Sequence, residues 1–148
     1  MNVMFNTEGT IFHNMIRIAP NIYIGDCDEH GAYDNSPESF YKTYKAVVMY
    51  NDEKDEYVGN CLVDPDLHWI EEMVIMRCYR NRGFGGRLLE LAINIFGAEY
   101  VAPEIENVDG IRFYENHGFR QFSHEPLERG PKYPRVTTGI VQMRLSRR

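Results

Sequence analysis

The chain has 148 residues, of which 43% are hydrophobic, and its formal net charge at pH 7 is -6. This length suits one domain with a full core, so we expect residues 1–148 to form a single domain. Because nucleic-acid binding requires a basic face, the acidic balance argues against a general nucleic-acid-binding protein. The sequence has neither a leading apolar segment nor an 18-residue apolar run, so secretion and a membrane span are not indicated.

Cysteine and histidine usage favours a cytoplasmic protein with reduced thiols. The three cysteines, Cys27, Cys61 and Cys78, are few and odd in number, which is not the pattern of a disulfide framework. Cys27 and His30 have a spacing that metal ligands can have, but the other histidines are scattered and supply no second pair. We therefore expect no bound metal.

The first third of the chain predicts strands, a loop and a short helix. Residues 11–24 carry isoleucine and aromatic side chains around a turn at residues 20–21, which indicates one or two strands, including the first of the fold. Residues 25–36 are typical of a loop. Ser36 and the proline after it favour a helix start, so we expect a short helix over about residues 37–44.

The middle of the chain predicts an antiparallel meander. Residues 45–50 and 57–63 are β-branched and aromatic runs separated by a polar segment, the pattern of a hairpin. Residues 68–76 form the next apolar run, and we expect this strand to lie near the centre of the sheet. The meander leads directly into the segment 80–86.

The rest of the chain predicts alternating helices and strands. After the leucine-rich run 88–96, Gly97 is a natural helix end. Later elements are expected at residues 100–102 (strand), 108–116 (helix ended by His117 and Gly118), 119–123 (strand) and 139–145 (strand). We therefore predict an α/β fold with a mixed, mostly antiparallel central sheet of about six to seven strands, flanked by helices.

The segment 80–86, Arg-Asn-Arg-Gly-Phe-Gly-Gly, carries the strongest functional signal. A glycine inside a helix costs about 1 kcal/mol relative to alanine, so we interpret the segment as a glycine loop between a strand and a helix. The free N–H groups and the dipole of a helix start attract anions, and four nearby arginines add positive charge. The segment predicts a site for a phosphate-bearing ligand, and the alternative is a plain strand-to-helix turn.

Two motifs together resemble the GCN5-related N-acetyltransferases (GNATs). The pattern Arg-x-x-Gly-x-Gly at residues 80–85 resembles the acyl-CoA pyrophosphate loop of that family, whereas Walker and dinucleotide patterns do not fit. Residues 107–119 resemble the family segment Asn-x-x-Ala-x-x-aromatic-Tyr-x-x-x-Gly-Phe, with Gly110 in the alanine position. The resemblance spans about residues 45–145, and Pro103 is less usual in the strand between the motifs.

The resemblance implies a GNAT-like sheet and an acetyl-CoA-dependent N-acetyltransferase, in which a primary amine attacks the thioester directly. It assigns the pantetheine arm of the cofactor to the backbone of Met73, Val74 and Ile75 and to Asn107. It makes Tyr114, which would otherwise be interpreted as a packing residue, the cofactor-contacting general acid for the departing sulfur. The residues that it assigns to the pyrophosphate are Arg80, Arg82, Gly83, Phe84, Gly85, Gly86 and Arg87.

Two carboxylates, Glu71 and Glu72, lie just before the pantetheine segment. The alternation of a strand sends them to opposite faces, with Glu71 on the face of Trp69 and Met73 unless a bulge intervenes. The pair resembles the acidic pair of the small-amine and polyamine branch of the family, which implies that Glu71 rather than Glu72 draws the proton from the amine. The alternative is two solvated acids, and Trp69 either walls the acceptor site or belongs to the core.

The acceptor is poorly determined by the sequence. Acidic residues in the segment 25–36 and at the predicted base favour a small cationic amine. The alternatives are a protein lysine or N-terminus, and a CoA-binding module without catalysis. A nucleophilic role for Cys78 is not favoured, since no histidine is placed to activate it, and His117 is expected to cap a helix. Pairing of sheet edges through the last strand would permit a homodimer.

Overall fold

The computed structural model describes residues 3–27, 44–123 and 139–146. The strands in these ranges are β1 (Met4–Phe5), β2 (Ile11–Ala19), β3 (Ile22–Cys27), β4 (Lys45–Asn51), β5 (Glu56–Asp64), β6 (Trp69–Ile75), β7 (Tyr100–Val101), β8 (Phe119–Ser123) and β9 (Gln142–Leu145). They form one sheet in the order β1-β2-β3-β4-β5-β6-β7-β9-β8. Neighbouring strands are antiparallel except β6 and β7, which are parallel.

Two α-helices and a short 3-10 turn accompany the sheet in the described part of the chain. The 3-10 turn, Arg77–Tyr79, precedes α1 (Phe84–Phe96), and α2 (Val108–Asn116) precedes β8. The predicted class, a mixed and mostly antiparallel sheet flanked by helices, is confirmed. Within the described ranges, no helix is long and apolar enough to cross a membrane.

The sheet has more strands than the six to seven that the sequence predicts. β1 pairs with the start of β2, so the first strand of the fold precedes residues 11–24. Residues 25–27, expected to be loop, extend β3. Both errors have one cause: a short strand is defined by pairing with its neighbour, and its own residues carry little periodic signal. The helix expected at about 37–44 falls outside the described residues except for its last position, which is not helical.

Several predicted elements are confirmed with small changes in their ends. The hairpin of β4 and β5 and the third strand, β6, lie where the meander was predicted. α2 has the predicted bounds. Gly97 ends α1 in a left-handed conformation with φ of 67°, and its N–H donates to the carbonyl of Ile93 at 3.2 Å. A left-handed glycine after the last turn is a common way for a helix to end.

The core has two parts, one on each face of the sheet. On one face, Leu88, Leu89 and Ala92 of α1 pack against Val47 and Met49 of β4. The other face carries a second buried cluster that includes Phe12, Met15, Val48, Tyr50 and Leu62. β4 and β5 are therefore buried on both faces, which explains why their sequences read as nearly continuous apolar runs. Burying each leucine of α1 contributes about 1.5–3 kcal/mol, which fixes α1 against the sheet.

β6 and β7 pair at one position and separate beyond it. Within the described residues they pair at Trp69 and Tyr100, and β7 ends at Val101. β6 continues along β5 as far as Ile75. The edge of β6 beyond Trp69 is therefore not covered by β7, and it borders the space between α1 and α2.

Candidate active site

A cavity of about 620 Å³ lies where β6, the segment 76–83, α1 and α2 meet. This volume is in the range that suits small-molecule and cofactor sites. The residues that line it are Met73, Ile75, Tyr79, Arg80, Asn81, Gly83, Phe84, Gly85, Gly86, Asn107, Asp109, Gly110, Phe113, Tyr114 and His117. The fold thus brings the two predicted motifs and the predicted pantetheine strand to one cavity, although they are up to about forty residues apart in the chain.

Some predicted site residues lie outside the lining of this cavity: Val74, Arg82, Arg87, Glu71 and Glu72. Arg87 lines a second groove of about 430 Å³, which lies between α1 and the strands β2 and β3. Conversely, the sequence did not assign six of the lining residues, although each lies within three residues of an assigned one: Tyr79, Asn81, Asp109, Gly110, Phe113 and His117. Proximity to the motifs was therefore the available signal for them.

The chain enters α1 through one glycine rather than three. Gly83 is the N-cap of α1 with φ of 78°, a backbone conformation that residues with a side chain rarely adopt. Gly85 and Gly86 lie inside the first turn of α1, so the expectation that these glycines lie outside the helix is wrong. A Cβ on Gly85 would lie 3.3 Å from the ring of Phe113, and one on Gly86 would lie 3.0 Å from the ring of His117. The glycines let α2 approach the start of α1, which offsets their low helix propensity.

The first turn of α1 is suited to binding an anion. The first backbone bond of α1 runs from the N–H of Arg87 to the carbonyl of Gly83 at 3.4 Å. The N–H groups of Phe84, Gly85 and Gly86 therefore have no acceptor within the helix. The sequence of the turn, Phe-Gly-Gly-Arg, contains no acidic residue. Unpaired donors and the positive end of the helix dipole together favour a phosphate group at this position.

Arg80 and Arg82 extend exposed guanidinium groups beside this helix start. The Nε of Arg80 donates to the carbonyl of Ile75 at 2.9 Å, and a terminal nitrogen of Arg82 donates to the carbonyl of Cys78 at 3.3 Å. The guanidinium of Arg82 also lies over the ring of Tyr79, 5.6 Å from its centroid. These bonds orient both side chains while using only part of the donor set of each guanidinium.

Asn107 begins α2 as its N-cap. Its Oδ1 accepts a hydrogen bond from the N–H of Gly110 at 3.0 Å. A Cβ at position 110 would overlap the side-chain amide of Asn107. Glycine in the alanine position of the motif therefore allows the Asn107 side chain to fold over the start of α2, at the wall of the cavity.

Tyr114 lies on α2 with its ring buried and its side chain at the wall of the cavity. Its ring packs between those of Phe113 and Phe119, with centroids 5.2 and 5.6 Å away. Burial, with a smaller effect from nearby Cys61, raises the pKa of Tyr114 above its usual value of 10.0. The phenol is therefore neutral at physiological pH, the form in which a tyrosine can donate a proton.

β6 contains a β-bulge at Glu71. Ile70 pairs with Val63 and Glu72 pairs with Leu62, so Glu71 is an extra residue on β6. The bulge reverses the alternation of side chains beyond it. Glu72 therefore shares a face with Trp69, while Met73 points to the core beneath α1. The expectation that Glu71 lies on one face with Trp69 and Met73 is wrong for this reason.

Glu72 lies on the face of the sheet opposite to α1, and its carboxyl group is partly buried. Burial raises the pKa of Glu72 above its usual value, which makes its carboxylate a better proton acceptor than a solvated one. Trp69 is almost fully buried and stacks on Tyr100 with ring centroids 5.3 Å apart. The cavity, which Met73 lines, and the side chain of Glu72 therefore lie on opposite faces of β6.

The other residues considered in the sequence are His117, Cys78 and the possible metal ligands. His117 is the C-cap of α2, as expected: its N–H donates to the carbonyl of Tyr114 at 3.0 Å, and its Nδ1 is 3.5 Å from Glu90. Cys78 is an exposed free thiol. Among the described residues, no three histidine, cysteine, aspartate or glutamate side chains are grouped to hold a metal ion. His30, from the spacing considered for metal, lies outside the described ranges.

Comparison with solved structures shows what the fold is similar to. A protein from Pyrococcus horikoshii OT3 matches with a TM-score of 0.52 and 18% identity over 70% of this chain, which spans 65% of that protein, less than two thirds. A Bacillus anthracis protein described as a streptothricin acetyltransferase, in complex with acetyl coenzyme A, matches with a TM-score of 0.57 and 18% identity over 80% of this chain and 68% of its own. The ribosomal-protein-S18-alanine N-acetyltransferase of Escherichia coli matches with a TM-score of 0.53 and 18% identity over 79% and 81% of the two chains.

The family of this chain follows from a match between its sequence and a family model. A search of the curated proteins finds no match to the chain. The family model described as an acetyltransferase (GNAT) domain matches residues 39–121, more than half of the chain. This range includes the meander, the glycine segment and α2, so it contains both motifs that carry the resemblance. The chain belongs to the GNAT acetyltransferases.

Proposed function

We propose that this acetyltransferase transfers the acetyl group of acetyl-CoA to the amino group of a small cationic amine. The cavity carries the proposal, because it joins an anion-attracting helix start, a strand edge that β7 does not cover and a neutral phenol. Each of these features matches one part of acetyl-CoA: the pyrophosphate, the amide-containing pantetheine arm and the thioester. The arrangement explains why the two motifs belong to one site.

The pyrophosphate would bind at the N–H groups of Phe84, Gly85 and Gly86, with Arg80 and Arg82 beside it. The guanidinium of Arg87 would bind a phosphate at the second groove, between α1 and the strands β2 and β3. Backbone and guanidinium donors together hold phosphate oxygens well, because charge-assisted hydrogen bonds are about twice as strong as neutral ones.

The pantetheine arm would lie along the part of the β6 edge that β7 does not cover. Its amide groups would pair with the backbone of Met73, Val74 and Ile75 as an added strand does. Asn107, at the start of α2, would meet the arm from the other side. The thioester would then stand in the opening between β6 and β7, accessible from the face that carries Glu72.

The proposed reaction needs one base and one acid. Glu72, directly or through water, accepts a proton from the ammonium group of the substrate, and the free amine attacks the thioester carbonyl. A new C–N bond forms, backbone N–H groups of β6 stabilise the oxyanion, and the C–S bond breaks as Tyr114 gives its proton to the sulfur. The nitrogen then loses its second proton, which passes through water to the phenolate of Tyr114 and restores the neutral phenol. We favour Glu72 over Glu71 as the base, because the pKa of Glu72 is raised and the bulge places Glu72 on the same face of the sheet as Trp69.

Charge separation supports a cationic acceptor. The arginines lie around the start of α1, whereas Glu71 and Glu72 are the carboxylates on the strand beside the proposed thioester position. A protonated amine is attracted to the acidic side and repelled by the basic one, so the two substrates would enter from different sides.

The test mixes acetyl-CoA and the protein with a panel of acceptors and measures the release of free CoA thiol. The panel contains polyamines, lysine-containing peptides and peptides with a free N-terminus, with Tyr114→Phe as the inactive control. We expect polyamines to give the highest kcat/KM. A preference for peptides would replace the small amine by a protein acceptor, and thiol release with no acceptor would reject the proposal.

A further inference from the structure

Tyr79 connects the cofactor segment to a distant hairpin. It is the last residue of the 3-10 turn and is almost fully buried. Its hydroxyl donates a hydrogen bond to Oε1 of Glu56 at 2.6 Å and accepts one from Nδ2 of Asn51 at 3.0 Å. Asn51 and Glu56 are a cross-strand pair at the end of the β4–β5 hairpin. One hydroxyl thus joins residues that are more than twenty positions apart.

The hairpin side of this connection is itself fixed. Oδ1 of Asn51 accepts hydrogen bonds from the N–H groups of Glu53 and Lys54 at 3.1 and 3.0 Å. Asn51 is 6% exposed, so its side-chain amide cannot turn without breaking both bonds. With Oδ1 used in the turn, Nδ2 is held toward Tyr79. The hairpin therefore offers an anchor whose orientation does not depend on any ligand.

On the cofactor side, Tyr79 fixes the starting position of the segment 80–83, which follows it in the chain. Its ring lines the cavity and supports the guanidinium of Arg82. Its own N–H donates to the carbonyl of Met76 at 2.9 Å, and the N–H of Arg80 donates to the carbonyl of Arg77 at 3.2 Å. These bonds make the turn a rigid unit, so the anchor at Tyr79 also fixes the direction in which Gly83 and α1 are reached.

We propose that Tyr79 is a positioning residue for the cofactor: its bonds to Asn51 and Glu56 hold the segment 80–83 in the shape that binds pyrophosphate. The inference rests on the proposed function, in which CoA occupies this cavity. A ligand that binds a pre-formed loop does not have to order that loop, and the saved ordering cost appears as affinity. Because the pantetheine arm binds β6 instead, its contribution to affinity does not depend on Tyr79.

The experiment compares two ligands in Tyr79→Phe, which removes the hydroxyl and keeps the ring. Calorimetry measures the affinity for CoA, and an NMR titration measures the affinity for pantetheine, which lacks the pyrophosphate. We expect CoA to bind about three- to ten-fold more weakly than to the wild type, the usual effect of losing one or two hydrogen bonds. We expect the affinity for pantetheine to be unchanged. A variant that is merely destabilised would lose affinity for both ligands.

Three further variants serve as controls. Tyr50→Phe removes another buried hydroxyl at the same hairpin, one that donates to Asp55 and does not touch the cofactor segment, and we expect wild-type CoA affinity. Glu56→Gln keeps an acceptor for Tyr79 and should bind CoA nearly as the wild type does. Glu56→Ala, at an exposed position, should weaken CoA binding as Tyr79→Phe does.

The outcomes separate the inference from the proposed function. Wild-type affinity for CoA in Tyr79→Phe, or an equal loss for CoA and pantetheine, would overturn the positioning role while leaving the proposed function intact. A wild-type protein that does not bind CoA would reject the proposed function and the inference together.

Discussion

The two sides of the opening beside β6 are built in different ways. The side proposed for the cofactor presents backbone N–H groups, glycines and arginines within a short stretch that ends at Arg87. The side proposed for the amine presents carboxylate side chains on a bulged strand, next to a buried tryptophan. Backbone recognition depends on space around the chain, whereas side-chain recognition depends on charge and pKa. Substitutions should therefore separate the two, because the first side is sensitive to added bulk and the second to lost charge.

The largest expected effect is on turnover, in Tyr114→Phe. The substitution removes the proposed proton donor and keeps the ring between Phe113 and Phe119. Turnover should fall on the order of ten- to a thousand-fold, while the affinity for acetyl-CoA changes by less than about three-fold. Steady-state kinetics and calorimetry on one preparation make the measurement. Unaltered turnover in a variant that binds acetyl-CoA would leave Tyr114 as a packing residue.

The next effect is on CoA affinity, in Gly85→Val. A Cβ at this position would lie 3.3 Å from the ring of Phe113. The methyl groups of valine would therefore crowd that ring and cover the N–H groups of the first turn. We expect CoA binding to weaken about a hundred-fold, as a loss of several hydrogen bonds implies. Ile95→Val, at an exposed position of the same helix that lines neither cavity, is the matched control and should bind CoA with wild-type affinity by calorimetry. Equal affinities of the two variants would contradict the placement of the pyrophosphate.

A smaller effect on rate, which tests the acidic side, is expected in Glu72→Gln. We expect kcat/KM to fall about ten-fold at neutral pH and to recover as rising pH supplies free amine. Because the pKa of Glu72 is raised, the wild-type rate should also climb through that pKa, and the variant should lack this limb. Glu71→Gln is the control and should retain most of its activity. The opposite ranking in pH-rate profiles would return the base to Glu71.

The smallest expected effect is on stability, again in Glu72→Gln. A raised pKa means that the folded protein holds this proton more tightly than the unfolded chain does. The stabilisation is complete below the unfolded pKa, for which the usual glutamate value is 4.5, and is lost as pH rises through the folded pKa. The variant should therefore melt slightly higher than the wild type at pH 7, by roughly 1–2 °C, since Glu72 is only partly buried. The difference should vanish near pH 4, and a lower Tm of the variant at pH 7 would show that the carboxylate is instead stabilised by a partner.

Local signals in the sequence predicted the bounds of α2 and the connection from β6 to α1 at residues 80–83. Asn107 caps the start of α2, and Gly118 follows its end in a left-handed conformation; both signals act within a few residues of the chain. The arginines and Gly83 lie in one short motif. The error in this region concerns Gly85 and Gly86, because their place inside α1 depends on the approach of Phe113 and His117 from another helix. Tertiary packing there outweighs a propensity cost of about 1 kcal/mol per glycine.

The acidic side depends on pairing that no local pattern contains. The sequence around Glu71 and Glu72 is compatible with regular alternation, and the bulge becomes visible only in the register of β6 against β5. The bonds of Tyr79 to Asn51 and Glu56 have the same character, since they join segments that are distant in the chain. The motifs therefore predicted residues that line one cavity, whereas the face on which Glu72 lies required the fold.

The proposed position of the cofactor can be tested by hydrogen–deuterium exchange of the backbone amides with and without CoA. If CoA binds as proposed, exchange should slow in two segments at once, residues 73–75 of β6 and residues 84–86 of α1, since the first would pair with pantetheine and the second would donate to pyrophosphate. Slower exchange in α1 with no change in β6, or protection confined to other parts of the chain, would contradict the proposed position of the cofactor.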